Sequence, residues 1–174
     1  MKQKPILISM AIASLLLGAC NSSGCLDNQS SIPLAQFRSS GNGADISVPG
    51  LQIHGIGAPN DSVIPISGSQ VYLPMRASDS NTSWCFHYAQ EGLDDPELND
   101  TISFTYESTP FFASEECGAM YRFRILEMEN TFHLVDSVVI EDSLITNVDL
   151  ARIFIYFRTA DPDEPETPEE GDQQ

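Results

Sequence analysis

The chain has 174 residues, with 25 acidic against 8 basic side chains for a formal charge of −17, and 41% of its residues are apolar. That apolar share excludes a chain disordered throughout, and the length suits one core rather than two. The negative field disfavours nucleic acid and anionic headgroups as partners.

Lys2 and Lys4 precede an apolar run of 12 residues, Ile6 to Leu17, closed by Gly18-Ala19-Cys20. A secretory signal peptide has this form, and the run is shorter than the about 20 apolar residues that span a bilayer. Leu17-Gly18-Ala19-Cys20 resembles the lipobox of bacterial lipoproteins. The resemblance implies that the Cys20 thiol is diacylated, that residues 1–19 are removed, and that the new α-amino group takes a third chain. Each buried methylene contributes about 0.8 kcal/mol, so two or three acyl chains anchor stably where one is marginal. The expected location is the outer membrane, with the protein lipid-anchored. Asn21-Ser22-Ser23-Gly24 lacks an acidic export-like cluster, which favours the periplasmic face, with the cell surface as the alternative.

Residues 20–38 read as a lipidated leader. From Ser39 to Thr159 the chain alternates apolar and polar residues between Gly, Pro, Asn and Asp, with no sustained helical period. The expected strands are Ile46 to His54, Ser62 to Ile66, Gln70 to Met75, Thr82 to Ala89, Thr101 to Glu107, Met120 to Met128, Leu134 to Ile140 and Arg152 to Arg158. Trp84, Phe86 and Tyr88 share one face, as do Ile102, Phe104 and Tyr106. About eight strands with turns every 8–12 residues predict an all-β fold, an antiparallel β-sandwich of Ig-like or jelly-roll-like type. A small barrel is the fallback. Residues 160–174 hold seven acids and three prolines and read as a solvated tail. Without signal peptide and tail, the body carries −12.

With Cys20 acylated, Cys25, Cys85 and Cys117 remain, and one disulfide in three pairings is open. Cys117 stands in a Glu-Cys-Gly turn and Cys25 in a leader that needs pinning, so Cys25 with Cys117 is the favoured pair, contributing roughly 3–5 kcal/mol in the chain-entropy model. Cys85 reads as a small hydrophobe. No zinc-like spacing occurs, and neither a metal nor a cofactor is expected. His54, His87 and His133 lie in or beside strands, without a Gly-x-Ser-x-Gly elbow or a Cys-His signature. The acidic loop Asp94 to Asp100 offers oxygens for calcium but lacks the EF-hand order, and a solvated loop is the favoured reading.

Arg152, Phe154, Tyr156 and Arg158 fall on one face of the last strand, opposite Ile153, Ile155 and Phe157. Such a face could bind an anionic ligand or a sugar. The plainer alternative, an outer sheet face whose arginines pair with the excess acids, is favoured. Asp61-Ser62-Val63, Asp100-Thr101-Ile102, Asp136-Ser137-Val138 and Asp142-Ser143-Leu144 resemble the acceptor pattern of the general O-glycosylation system of Bacteroidetes envelope proteins, with Ser62, Thr101, Ser137 and Ser143 as acceptors. Turn residues leading into strands give the same triplets.

In their order, the lipobox, Leu51 to Gly57, Asp61 to Pro65, Val71 to Met75, Asp100 to Phe104, Glu116-Cys117-Gly118 and Ile153 to Phe157 resemble small Bacteroidetes lipoproteins with a domain of unknown function. The resemblance implies an extracytoplasmic β-domain, supplies no catalytic residue, and supports the Cys25 and Cys117 pairing. Cys85 and the acidic tail depart from it. The expected function is a non-enzymatic binding or envelope-accessory module, partnered by an envelope protein or a glycan. A carbohydrate-binding accessory is the first alternative, and a small hydrolase with an unrecognised Ser and His pair the second.

Overall fold

The computed structural model describes residues 31–58, 63–115 and 117–159. The signal peptide, Cys20, Cys25, Ser62 and the acidic tail lie outside the described residues.

Among the described residues eleven strands form: β1 (Leu34–Ser39), β2 (Leu51–Gly55), β3 (Val63–Ile64), β4 (Ile66–Ser67), β5 (Gln70–Tyr72), β6 (Asn81–Tyr88), β7 (Asp100–Ser114), β8 (Gly118–Asn130), β9 (Val135–Ile140), β10 (Leu144–Ile145) and β11 (Ala151–Phe157). They build two sheets, one of five strands in the order β4-β5-β1-β11-β9 and one of six in the order β10-β8-β7-β6-β2-β3. The two sheets share one hydrophobic core, so the all-β sandwich is the architecture observed.

Alternation places the core as the sequence predicts. Trp84, Phe86 and Tyr88 of β6, Ile102, Phe104 and Tyr106 of β7, and Ile153, Ile155 and Phe157 of β11 are all buried. Aromatic edges lock the two layers together: Phe157 meets Phe37 and Tyr88 edge-on, with ring centroids 5.5 and 6.5 Å apart.

Several features differ from the sequence reading, beginning with eleven strands among the described residues where about eight are expected. The domain begins before Ser39, because Leu34–Ser39 is a strand at the centre of the five-stranded sheet. It pairs with β11 in parallel and with β5 antiparallel, so the sandwich is not antiparallel throughout. The first expected strand starts late, at Leu51. Finally, β7 does not stop at Glu107. It continues to Ser114 and forms a long hairpin with β8, in which Pro110 lies opposite Tyr121 and Phe112 opposite Ala119.

The register fixes what lies at each end of the sandwich. β1 and β11 both begin at one end, where Leu34 faces Ala151, and β9 finishes there with Ile140 opposite Ile153. β10 pairs with β8 at Arg124 and Phe123, so the β7–β8 hairpin beyond those residues projects from this same end. We call this the arm end. At the other end, β7 starts beside the first residues of β9.

Candidate ligand face

β11 alternates as its sequence requires, and its outward residues form the outer face of the five-stranded sheet. In the parallel register, Gln36 lies beside Phe154 and Arg38 beside Tyr156. On the other side, Val139 lies beside Phe154 and Ser137 beside Tyr156. Arg38, expected in the leader, thus stands on the central strand of this face.

Arg152, Phe154 and Tyr156 of β11, and Arg158 one residue beyond it, all have partners within the fold. The Arg38 guanidinium lies 3.9 Å from the centroid of the Phe154 ring, donates to the Tyr156 hydroxyl at 3.4 Å, and stands 3.4 Å from Asp45. A ring covered by a guanidinium has that face removed from stacking on a sugar. Arg152 bonds Asp142, and Arg158 stands 3.4 Å from Asp136 while donating to the carbonyls of Phe132 and His133 at 3.0 Å. The geometry is that of a sheet face whose arginines engage acids. Arg122 and Arg124 differ: they are exposed, and among the described residues neither forms a salt bridge.

One side chain of the acidic loop, expected to be solvated, instead lies where β7, β6 and the start of β9 meet. Asp100 is fully buried. One of its oxygens accepts from the Thr131 hydroxyl and the His133 N–H, and the other from the Tyr88 hydroxyl and the Leu134 and Val135 N–H groups, all at 2.8 Å. These five donors compensate its desolvation and join β7, β6 and the start of β9. Burial first, and the bond to Asp100 second, push the Tyr88 phenol far above its ordinary range. The rest of the acidic loop is also engaged. Asp95 caps the 3-10 turn Pro96–Leu98 by accepting from Glu97 N–H at 2.9 Å, and Asp94 lies 3.4 Å from His87. Among the described residues, no group of three or more His, Cys, Asp or Glu side chains is placed to hold a metal ion.

The histidines are dispersed. His87 bonds Asn99 at 3.0 Å, and the His133 main chain serves Asp100 and Arg158. His54 lies opposite Cys85, which lies opposite Thr101, in one row across the outer face of the six-stranded sheet. A nucleophile there would have to be a thiolate. Burial, and then the nearby Asp100 carboxylate, instead push the half-buried Cys85 thiol up, holding its proton. Among the described residues no histidine ring bonds a Ser, Thr or Cys.

The triplet residues are spread over both sheets. Thr101 is half-buried in β7 and lines a shallow depression of about 190 Å³ with Ser103, Glu129 and Thr131. Ser137 is half-buried beside Tyr156, and Ser143 is half-buried with its carbonyl accepting from Ile125 N–H. Their aspartates have structural work: Asp100 in the core, Asp136 with Arg158, and Asp142 accepting from Leu144 N–H at 2.9 Å in a local turn. Cys117 is disulfide-bonded and Cys85 is free. The partner of Cys117 lies outside the described residues.

Fold and site together define an all-β sandwich tied by a buried carboxylate, with an outer face on which Arg38, Arg152 and Arg158 each stand against an acid. Residues 50–157 match a family of unknown function, DUF6452, and the chain belongs to that family. β1 lies ahead of the matched segment, although it sits at the centre of a sheet. No curated protein and no solved structure matches the chain.

Proposed function

We propose that this chain is an envelope lipoprotein, acylated at Cys20 and paired through Cys25 and Cys117, whose sandwich serves as a non-enzymatic binding or accessory module at the outer membrane. The observation that carries the reading is the amino terminus: two lysines, a 12-residue apolar run and Leu17-Gly18-Ala19-Cys20, with the first strand of the sandwich beginning at Leu34. A short leader between an acylation site and a closed domain suits a tethered module. The protonated Cys85 and the dispersed histidines favour binding over hydrolysis. The Arg152, Phe154, Tyr156 and Arg158 face is the weaker candidate for a glycan, since its guanidinium and ring faces are engaged by Arg38, Asp142 and Asp136.

Metabolic labelling with an alkyne fatty acid tests the anchor. The wild-type chain takes label and partitions with membranes, whereas Cys20→Ser takes none and retains its signal peptide. Label on Cys20→Ser overturns the reading.

A further inference from the structure

Of the ten large apolar side chains exposed among the described residues, four stand on the β7–β8 arm and on the segment that follows β10. The face of the β7–β8 hairpin that enters the core at Tyr106, Phe123 and Ile125 continues outward through Pro110, Phe112 and Tyr121. There it loses its cover: Phe112 is 69% and Tyr121 46% exposed. The segment from β10 at the base of the arm to Ala151 beside Leu34 displays two more large apolar residues, Val148 at 55% and Leu150 at 57%. Its local bonds hold them outward. Val148 N–H donates to the Thr146 hydroxyl, Leu150 N–H to the Val148 carbonyl, and the acid between them, Asp149, is drawn back by the Tyr72 hydroxyl at 2.6 Å. The exposed Arg122 and Arg124 stand on the opposite face of the same arm.

The chain enters the sandwich at this end as well, because β1 begins there. Ten residues lie between Cys20 and Ser31, a reach of about 40 Å at most over eleven Cα steps. With Cys20 acylated and Cys85 free, Cys25 is the cysteine left to bond Cys117 at the arm tip. That bond holds the tip within five residues, about 18 Å of chain, of the acylated residue.

From this juxtaposition we propose that the arm end lies against the bilayer that holds the protein's own acyl chains. Phe112, Tyr121, Val148 and Leu150 enter the interface, and Arg122 and Arg124 reach headgroup phosphates. Aromatic and aliphatic tips flanked by arginine suit that boundary, where an apolar body and a charged head are both satisfied. Four contacts too few and too scattered to hold the protein alone become effective once the anchor makes the encounter intramolecular. The Asp100 end then faces away from the membrane.

The inference rests on acylation at Cys20, and the test separates the two. The full acylated chain, with Cys85→Ala to remove the free thiol, is reconstituted in phosphatidylcholine vesicles bearing brominated acyl chains. A bimane probe is placed at Leu150→Cys or, at the far end, at the equally exposed Phe132→Cys. The expected result is co-flotation with the vesicles and several-fold stronger bromine quenching at position 150 than at 132. Co-flotation with equal quenching overturns the orientation and leaves the anchor standing. A chain that does not float overturns both.

Discussion

The two ends of the sandwich solve opposite problems. At the Asp100 end, a carboxylate is taken wholly out of water and met by five donors, one of them Tyr88, whose ring meets Phe157 edge-on as Phe157 meets Phe37. At the arm end, the same strand β7 runs past Tyr106 with no further buried residue and shows Phe112 to the outside. One strand therefore supplies both a stability centre and an unsatisfied surface. Stability and interaction are separated along it, so substitutions at the two ends should act on different measurements.

Asp100→Ala should have the largest effect. It leaves the Tyr88 hydroxyl and the N–H groups of Leu134 and Val135 without their acceptor, at about 1–3 kcal/mol for each buried orphan, so a loss of about 5 kcal/mol in urea unfolding is expected. Asp100→Asn, which keeps the shape and one oxygen, should lose less. A near-neutral Asp100→Ala would show that the two ends do not differ in kind.

Phe157→Ala comes next, removing the ring that touches both Phe37 and Tyr88, at about 3–5 kcal/mol in the same assay. The third prediction concerns alkali. The folded Tyr88 pKa is raised, so its contribution is complete below the unfolded value of about 10 and falls as pH rises beyond it. Spectrophotometric titration should find Tyr88 ionising only as the fold is lost, and Tyr88→Phe should flatten stability against pH above about 10. Tyr88 titrating freely in the folded chain would contradict its burial against Asp100.

At the arm end, Phe112→Ser or Leu150→Ser should change stability by no more than about 0.5 kcal/mol, since both side chains are mostly exposed. A loss comparable to that of Phe157→Ala would mean that these residues are covered, and the contrast between the ends would fail.

The sequence made the sandwich legible where one sheet face is wet. Strands β6, β7 and β11 alternate because one side meets the core and the other does not. β1 escaped because it is a central strand with four successive buried residues, Leu34 to Phe37, which erases the period of two. The outer half of β7 escaped because Ser108, Thr109 and Pro110 read as a turn, and a proline within a strand weakens that assignment. Asp100 was hidden for a different reason: its neighbours Asn99, Asp95 and Asp94 are loop acids and amides, while four of its five donors lie 31 to 35 residues later and the fifth, Tyr88, 12 residues earlier. The face on β11 was readable as a row. Its covering partner, Arg38, comes from a parallel strand 118 residues away from Tyr156, a relation that no local pattern encodes.

Mass spectrometry of the amino-terminal peptide from native membranes, taken with and without reduction, tests the central claim most directly. The expected spectrum begins at Cys20 carrying a diacylglyceryl thioether and an amide-linked acyl chain, and holds Cys25 bound to Cys117 until reduction releases it. A mature chain that begins elsewhere, or an unmodified Cys20 bonded to Cys117, would contradict the anchor and the membrane-facing arm together.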